Sequence, residues 1–416
     1  MSGPFGSTLK GDAYLSSGDI AFIRVQNIKG GFDINDNDLV YISNKDNEKI
    51  KSSSLQEGDL ILSKVGNSIG YFAKVSSDLG KCNISENNIG IKLSSYSDIE
   101  KSFILTYLNA KYANKLVLRR KSGNAQPKIN VDDLCRIPIL IFPKLSENIH
   151  NVIQLHEAYL NQSILSYKQA EDILNKELGI TNIENTKNYS VKSFSESFGE
   201  SNRLDAEYYQ DKYTQLFDII KNGKQLKELV TITKSIEPGS DEYKDEGIPF
   251  LRVSNLTKFG LTDSNVFLDR KKYENLLKPM KDTILFSKDG SIGIAYKAES
   301  DLDCITSGAL LHLSVKKTTI LPDYLALVLN SKIVQLQAER DSGGSIINHW
   351  RLPEIEMVLI PMLDYDIQNQ ISQKVQESFK LRKDSKNLIN VAIRAVELAI
   401  EKNEEYASQW LIENSN

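Results

Sequence analysis

Apolar residues along this chain follow two rhythms, and the pair of rhythms occurs twice. Short β-branched and aromatic runs, closed by Gly, Asn or Asp, occupy residues 20–25, 60–63, 250–253 and 284–286. Such runs predict strands. Residues 103–118 and 325–336 then carry apolar positions at helical spacing. A polar, glycine-containing loop follows each helix, RRKSGNAQPK at 119–128 and ERDSGGSIINHW at 339–350. Each series closes on an apolar run ending in proline, at 137–143 and 358–361, read as a further strand.

The wording itself repeats. IAFIRVQNI at 20–28 returns as IPFLRVSNL at 248–256, DLILSKVGNSIG at 59–70 as DTILFSKDGSIG at 282–293, and LNAK at 108–111 as LNSK at 329–332. The offset is about 220 residues and drifts slowly, as it does when loops differ in length. A chain that keeps its framework and varies its loops suits contact with two similar targets. At 416 residues it exceeds the ~250–300 at which single cores stop growing, so two domains are predicted.

After each domain the pattern becomes that of a long amphipathic helix. Residues 145–178 contain no Pro or Gly and repeat apolar residues at Ile149, Ile153, Leu160, Tyr167 and Leu174, with Gly179 as the stop. The partner stretch carries Ile367, Ile371, Val375, Phe379, Leu388, Ile393, Val396 and Ile400. Neither stripe is buried by its own helix, so antiparallel pairing as a coiled coil is predicted, each helix packing on its own domain being the alternative. The division that results is a first domain at 1–143, a central helix at 144–180, a polar linker at 181–201, a second domain at 202–361 and a C-terminal helix at 362–416. A lead-in stretch at 194–230, with RLDAEYYQDKY, precedes the second copy only, so the first reads as incomplete or the chain as cut.

Composition narrows the function. The net charge is −4, so a nucleic-acid role needs a local basic surface. Cys82, Cys135 and Cys304 form no paired motif, which fits a reducing cytoplasm, and no apolar run reaches the ~18 residues of a membrane span. There is no GxGxxG after a strand, no phosphate loop, no HExxH and no Pro-Pro. His150 and His156 are six apart, off a metal-binding helix face, and read as helix-surface residues. No cofactor or metal is expected.

Binding chemistry is what the sequence offers. Lys111, Lys115, Arg119, Arg120, Lys121 and Lys128 lie within one helix-to-loop passage, with Asn124 and Gln126 among them. Basic groups neutralise phosphates, while Asn, Gln and Arg pair with base edges. The matching passage of the second copy holds Arg340, Ser342, Asn348, His349 and Arg351. A second candidate surface is the turn with Lys64 and Asn67, matched by Lys288 and Asp289. A third is Arg24, Gln26 and Asn27, matched by Arg252, Ser254 and Asn255. Solvated surface charge is the alternative for each basic residue, and a fork onto loop carbonyls the alternative for Arg24 and Arg252.

GPFGS at 3–7, the FIRVQNI and FLRVSNL strands, ILSKVGNSIG and ILFSKDGSIG, SGNAQPKIN at 122–130, SGGSIIN at 342–348 and RLDAEYY at 203–209 occur in an order that resembles the specificity subunit of type I restriction–modification systems. The resemblance spans nearly the whole chain. It implies two α+β target recognition domains joined by two long antiparallel helices with pseudo-twofold symmetry. Each domain would read one half of a bipartite double-stranded DNA site. The chain would be non-catalytic, recruiting two DNA methyltransferase subunits and the restriction (motor-nuclease) subunits. The rival readings are a nuclease or methyltransferase carrying its own recognition domains, and a scaffold of the same family that no longer reads DNA.

Overall fold

A computed structural model of the chain describes residues 1–415, apart from 5–7, 10–12, 29–31, 36–38, 124–126, 181–182, 188, 200, 317–318 and 344–348. It separates into two compact units, residues 1–160 with 382–416, and residues 161–381.

The first copy supplies strands β1 (Ile20–Ile23), β2 (Val40–Ile42), β3 (Leu60–Ser63), β4 (Phe72–Lys74), β5 (Cys82–Ile84) and β6 (Asn88–Ile91). In one sheet β1 lies antiparallel to β2 and parallel to β5. In the other, β3 is flanked by antiparallel β4 and β6. All four residues of β3 are buried, which is why its sequence is a continuous apolar run rather than an alternation. Helices α1 (Asp98–Asn109), α2 (Lys111–Arg119), α3 (Val131–Cys135) and α4 (Pro143–Glu177) follow. Ser97 and Glu100 close a capping box at the start of α1, and Asn130 caps α3 through the Asp133 amide. Gly179, at φ 64°, stops α4 in the left-handed region.

The second copy begins with α5 (Asp211–Ile220), β7 (Lys224–Gln225), α6 (Leu226–Leu229) and β8 (Val230–Lys234). Then come β9 (Ile248–Leu251), β10 (Phe267–Leu268), β11 (Ile284–Ser287), β12 (Ala295–Lys297), β13 (Ile305–Thr306) and β14 (Leu310–Val315). Their pairing repeats that of the first unit. β9 is antiparallel to β10 and parallel to β13, and β11 sits between antiparallel β12 and β14. Helices α7 (Pro322–Asn330), α8 (Lys332–Asp341) and α9 (Leu352–Glu356) precede β15 (Leu359–Ile360). The chain finishes with α10 (Tyr365–Glu401) and α11 (Glu404–Asn414). The α+β class, the duplicated sheets and the two long helices are thus as read from the sequence.

Each unit packs a part of α4 with a part of α10, the two running antiparallel. In the first unit the Leu145 amide donates to Glu404 Oε1 at 3.0 Å, and further along α4, Ser385 Oγ lies 2.6 Å from His156 Nδ1. His156 is therefore a buried contact between helices, which corrects its reading as a surface residue: the second helix covers it. In the second unit Tyr167, Ala170 and Leu174 share a core with Ile371 and Val375. A fully buried aliphatic side chain of this kind contributes about 1.5–3 kcal/mol.

One strand expected from sequence differs. Among the described residues, 137–142 enter no ladder, whereas the matching β15 pairs with β7. The difference lies in the partner, since β7 comes from the stretch that leads into the second copy.

Candidate nucleic-acid interface

In both units the turn after the central strand is tied to the loop after the second helix. In the first, the Gly66 amide donates to Pro127 O at 3.1 Å, the Ile129 amide to Lys64 O at 3.0 Å, and Val65 bridges Lys128. Gly66 takes φ 72°, a backbone state that L side chains rarely adopt, so glycine suits this bend. In the second, the Trp350 amide donates to Lys288 O at 2.8 Å, Asp289 bridges His349, and Gly290 at φ 70° makes the bend. Two candidate surfaces that looked separate in sequence are one surface in each unit.

The side chains this surface displays differ between units. In the first, Arg119, Lys121 and Lys128 are exposed, and Lys64 Nζ reaches Ser2 Oγ at 3.2 Å. Arg120 is turned back toward Arg136 O at 3.4 Å. Lys111 is held by Glu401 at 2.7 Å and Glu397 at 3.5 Å, so its charge is already answered. In the second unit, Asp289 accepts from Lys288 Nζ and lies 2.8 Å from His349 Nδ1. Partial burial pulls the Asp289 carboxyl upward, but the bonds from Lys288 and His349 win and hold it below the ordinary carboxylate value. His349 and Arg351 are exposed, and Arg351 forks onto Glu354.

The third set divides. Gln26 is exposed and lines, with Arg24, Ser85 and Asn87, a concavity of about 390 Å³. Asn87 O also accepts the Lys64 amide at 2.7 Å, so this concavity adjoins the turn. Sequence reading passed over Ser85 and Asn87, because no charge pattern marks them. Asn27, by contrast, is buried. Its Oδ1 accepts the Arg24 amide at 2.9 Å and its Nδ2 donates to Asn35 O at 3.0 Å. Asn255 repeats this, accepting from the Arg252 amide at 3.0 Å and donating to Asp263 O at 3.0 Å. Both asparagines clip their own loops and face away from solvent, whereas Arg252 is exposed.

Arg340 also has a structural placement. Its guanidinium lies over Phe217 at 4.2 Å and Tyr208 at 4.8 Å, and Nε donates to Asp341 at 2.7 Å. Gln126 and Asn348 lie outside the described residues, as does the side chain of Asn67. Among the described residues no cluster of His, Cys, Asp and Glu is placed to hold a metal ion, and no helix is long and apolar enough to cross a membrane.

The geometry defines a two-module α+β protein in which each copy presents one braced turn-and-loop surface. Residues 221–393 match the family described as the type I restriction modification DNA specificity domain. Over 192 residues the chain is 25% identical to the type I restriction enzyme EcoBI specificity subunit of Escherichia coli, matching 43% of this chain and 39% of that protein. The chain thus spans about two fifths of that relative's length. The S subunit of a type I restriction–modification system from M. genitalium is similar over 99% of this chain and 92% of its own, at 12% identity and a TM-score of 0.35. The HsdS subunit from Thermoanaerobacter tengcongensis is similar over 92% and 90%, at 15% identity and a TM-score of 0.30.

Proposed function

We propose that this chain is a DNA-reading specificity subunit. Each unit contacts one half of a bipartite duplex site through its braced turn and loop, and the chain carries out no chemistry itself. It positions two DNA methyltransferase subunits and the restriction subunits of a type I system. The observation that carries this reading is the recurrence of one braced turn in two frameworks with changed side chains, Val65 against Lys128 in one and Asp289 against His349 in the other. A shared brace preserves position, and changed side chains alter what is read.

The chemistry on each surface suits that task. Arg119, Lys121 and Lys128 answer phosphates in the first unit. An ionised Asp289 is an acceptor, and the base edge it complements in the major groove is the cytosine amino group. Arg24, Gln26 and Arg252 extend the surface beside each turn. The test is selection of bound duplexes from a random pool by the chain together with its methyltransferase subunit at physiological salt. Two fixed half-sequences separated by an unconstrained spacer are expected. Replacing Asp289 by Ala relaxes one half only. A bound pool as random as the input removes DNA reading from the account.

A further inference from the structure

Four residues of the motif RLDAEYY at 203–209 act together in the second unit. Arg203 Nε donates to Asp205 Oδ1 at 2.8 Å, and the Tyr209 hydroxyl donates to Arg203 O at 3.0 Å. The motif is thereby folded back on itself. Tyr208, in the short 3-10 turn Ala206–Tyr209, holds its ring 4.6 Å from the Arg203 guanidinium and 4.8 Å from that of Arg340. Each cation has its own carboxylate, Asp205 for Arg203 and Asp341 for Arg340. Two like charges can therefore share one aromatic ring, which attracts both.

This stack acts on the end of α8. The last carbonyls of a helix have no partner within it. Arg203 Nη1 reaches one of them, Arg340 O, at 3.3 Å, and a cation there also suits the helix dipole. Phe217 of α5 supports the Arg340 guanidinium from 4.2 Å, and Lys212 Nζ donates to Glu339 at 2.7 Å. Earlier in α8, Ile333, Val334 and Leu336 are buried, so the body of the helix is anchored by apolar packing. What the stack adds is a hold on the final turn.

The reading loop leaves from that turn. The Ser342 amide donates to Ala338 O at 2.8 Å, and Gly343 and His349 then exchange backbone bonds at 3.1 and 2.8 Å. His349 and Trp350 are tied in turn to Asp289 and Lys288. The turn thus holds the His349 side of the loop base, and the stack holds the side that enters at Ser342. Gly343 lies three residues past Arg340, so a shift of the helix end is passed to the His349 pairing.

We propose that Arg203 and Tyr208 are positioning residues of the second unit's DNA-reading surface. They clamp the end of α8, fix where the loop base meets the turn, and so set the base preference that Asp289 expresses. They touch no DNA themselves. The assignment rests on the DNA reading proposed above.

The test compares the full chain with its Tyr208→Ala, Tyr208→Phe and Arg203→Ala variants. Each is assayed with the methyltransferase subunit on the duplex the parent selects and on single-base variants of that duplex. The two alanine variants are expected to lose about tenfold in discrimination within one half-sequence, the scale of one misplaced base contact. The other half and the salt slope should match the parent. Tyr208→Phe keeps the ring and should keep parental discrimination. In the free chains, hydrogen exchange at Ser342 and Gly343 should speed by about tenfold in both alanine variants and stay parental at Leu336. Arg203→Ala carries the same comparison if Tyr208→Ala does not fold. Unaltered exchange overturns the clamp, and faster exchange with intact discrimination overturns its role in reading. Equal loss in both halves marks a general loss of fold and overturns positioning. A salt slope lower by about 0.9 in Arg203→Ala makes that residue a phosphate contact, with the same consequence. A parent that selects no duplex overturns the DNA reading and this role together, whereas a selective parent with equally selective variants overturns this role alone.

Discussion

The exposed cations of the first unit make a quantitative prediction. Of the six basic residues gathered between Lys111 and Lys128, Lys111 is tied to Glu401 and Glu397, and Arg120 is turned to Arg136 O. Lys115, Arg119, Lys121 and Lys128 remain exposed, Lys115 within α2 and the other three at its end and along the loop that braces the turn. If those three meet phosphates, each adds about 0.9 to the slope of log affinity against log salt, or about 2.7 together. Between 50 and 200 mM salt, a change of about 0.6 in log units, that slope is worth about 1.6 log units, or roughly 40-fold. The triple alanine variant should therefore lose about 40-fold less affinity over that range than the parent. Lys111→Ala should leave the slope unchanged. Fluorescence anisotropy of a labelled duplex, titrated with the chain and its methyltransferase subunit at several salt concentrations, reads both. An unaltered slope in the triple variant, or an equal change from Lys111→Ala, refutes the assignment of phosphate contact to this loop.

Three further outcomes follow from particular contacts. Lys297 is buried against Asp323 at 2.9 Å and Glu299 at 3.1 Å; burial works against its charge, yet these carboxylates push it up to about 12. A raised lysine value stabilises the fold fully below its ordinary 10.5, and that stability disappears as pH rises through about 12. Asp323→Ala should cost about 1.5–3 kcal/mol, measured by denaturant unfolding, because it removes the buried carboxylate bonded to Lys297 and leaves only the more exposed Glu299 and Asp282 to answer the charge. Asn27→Ala should lower stability by about 1–3 kcal/mol with the base preference intact, while Gln26→Ala should alter affinity with stability intact, a crossed result being decisive against either role. Inserting four residues into both long helices, after Leu160 and after Leu381, should change the spacer between selected half-sequences and leave the halves alone, as seen by selection from random duplexes.

The framework was legible because it is written twice. β3 and β11 are unbroken apolar runs ending in serine, and their buried faces leave no other reading. The long helices declared themselves by stripe and by Gly179. What sequence concealed was the direction of polar side chains. Asn27 and Asn255 recur in register just as a reading residue would, yet recurrence here reflects a shared loop clip. Arg340 looked like a loop cation, but its aromatic partners Tyr208 and Phe217 arrive from more than 100 residues away. His156 looked like a surface residue because the helix covering it lies 229 positions along the chain. The turn and the loop looked like separate candidates because their tie is made by backbone groups, which carry no sequence signature.

The most direct measurement is the base-modification map of host DNA with and without this chain, all other genes held constant. Reading by two braced turns predicts one interrupted motif methylated at nearly every occurrence, absent when the chain is deleted and relaxed in one half when Asp289 is replaced. An identical map in the presence and absence of the chain contradicts it.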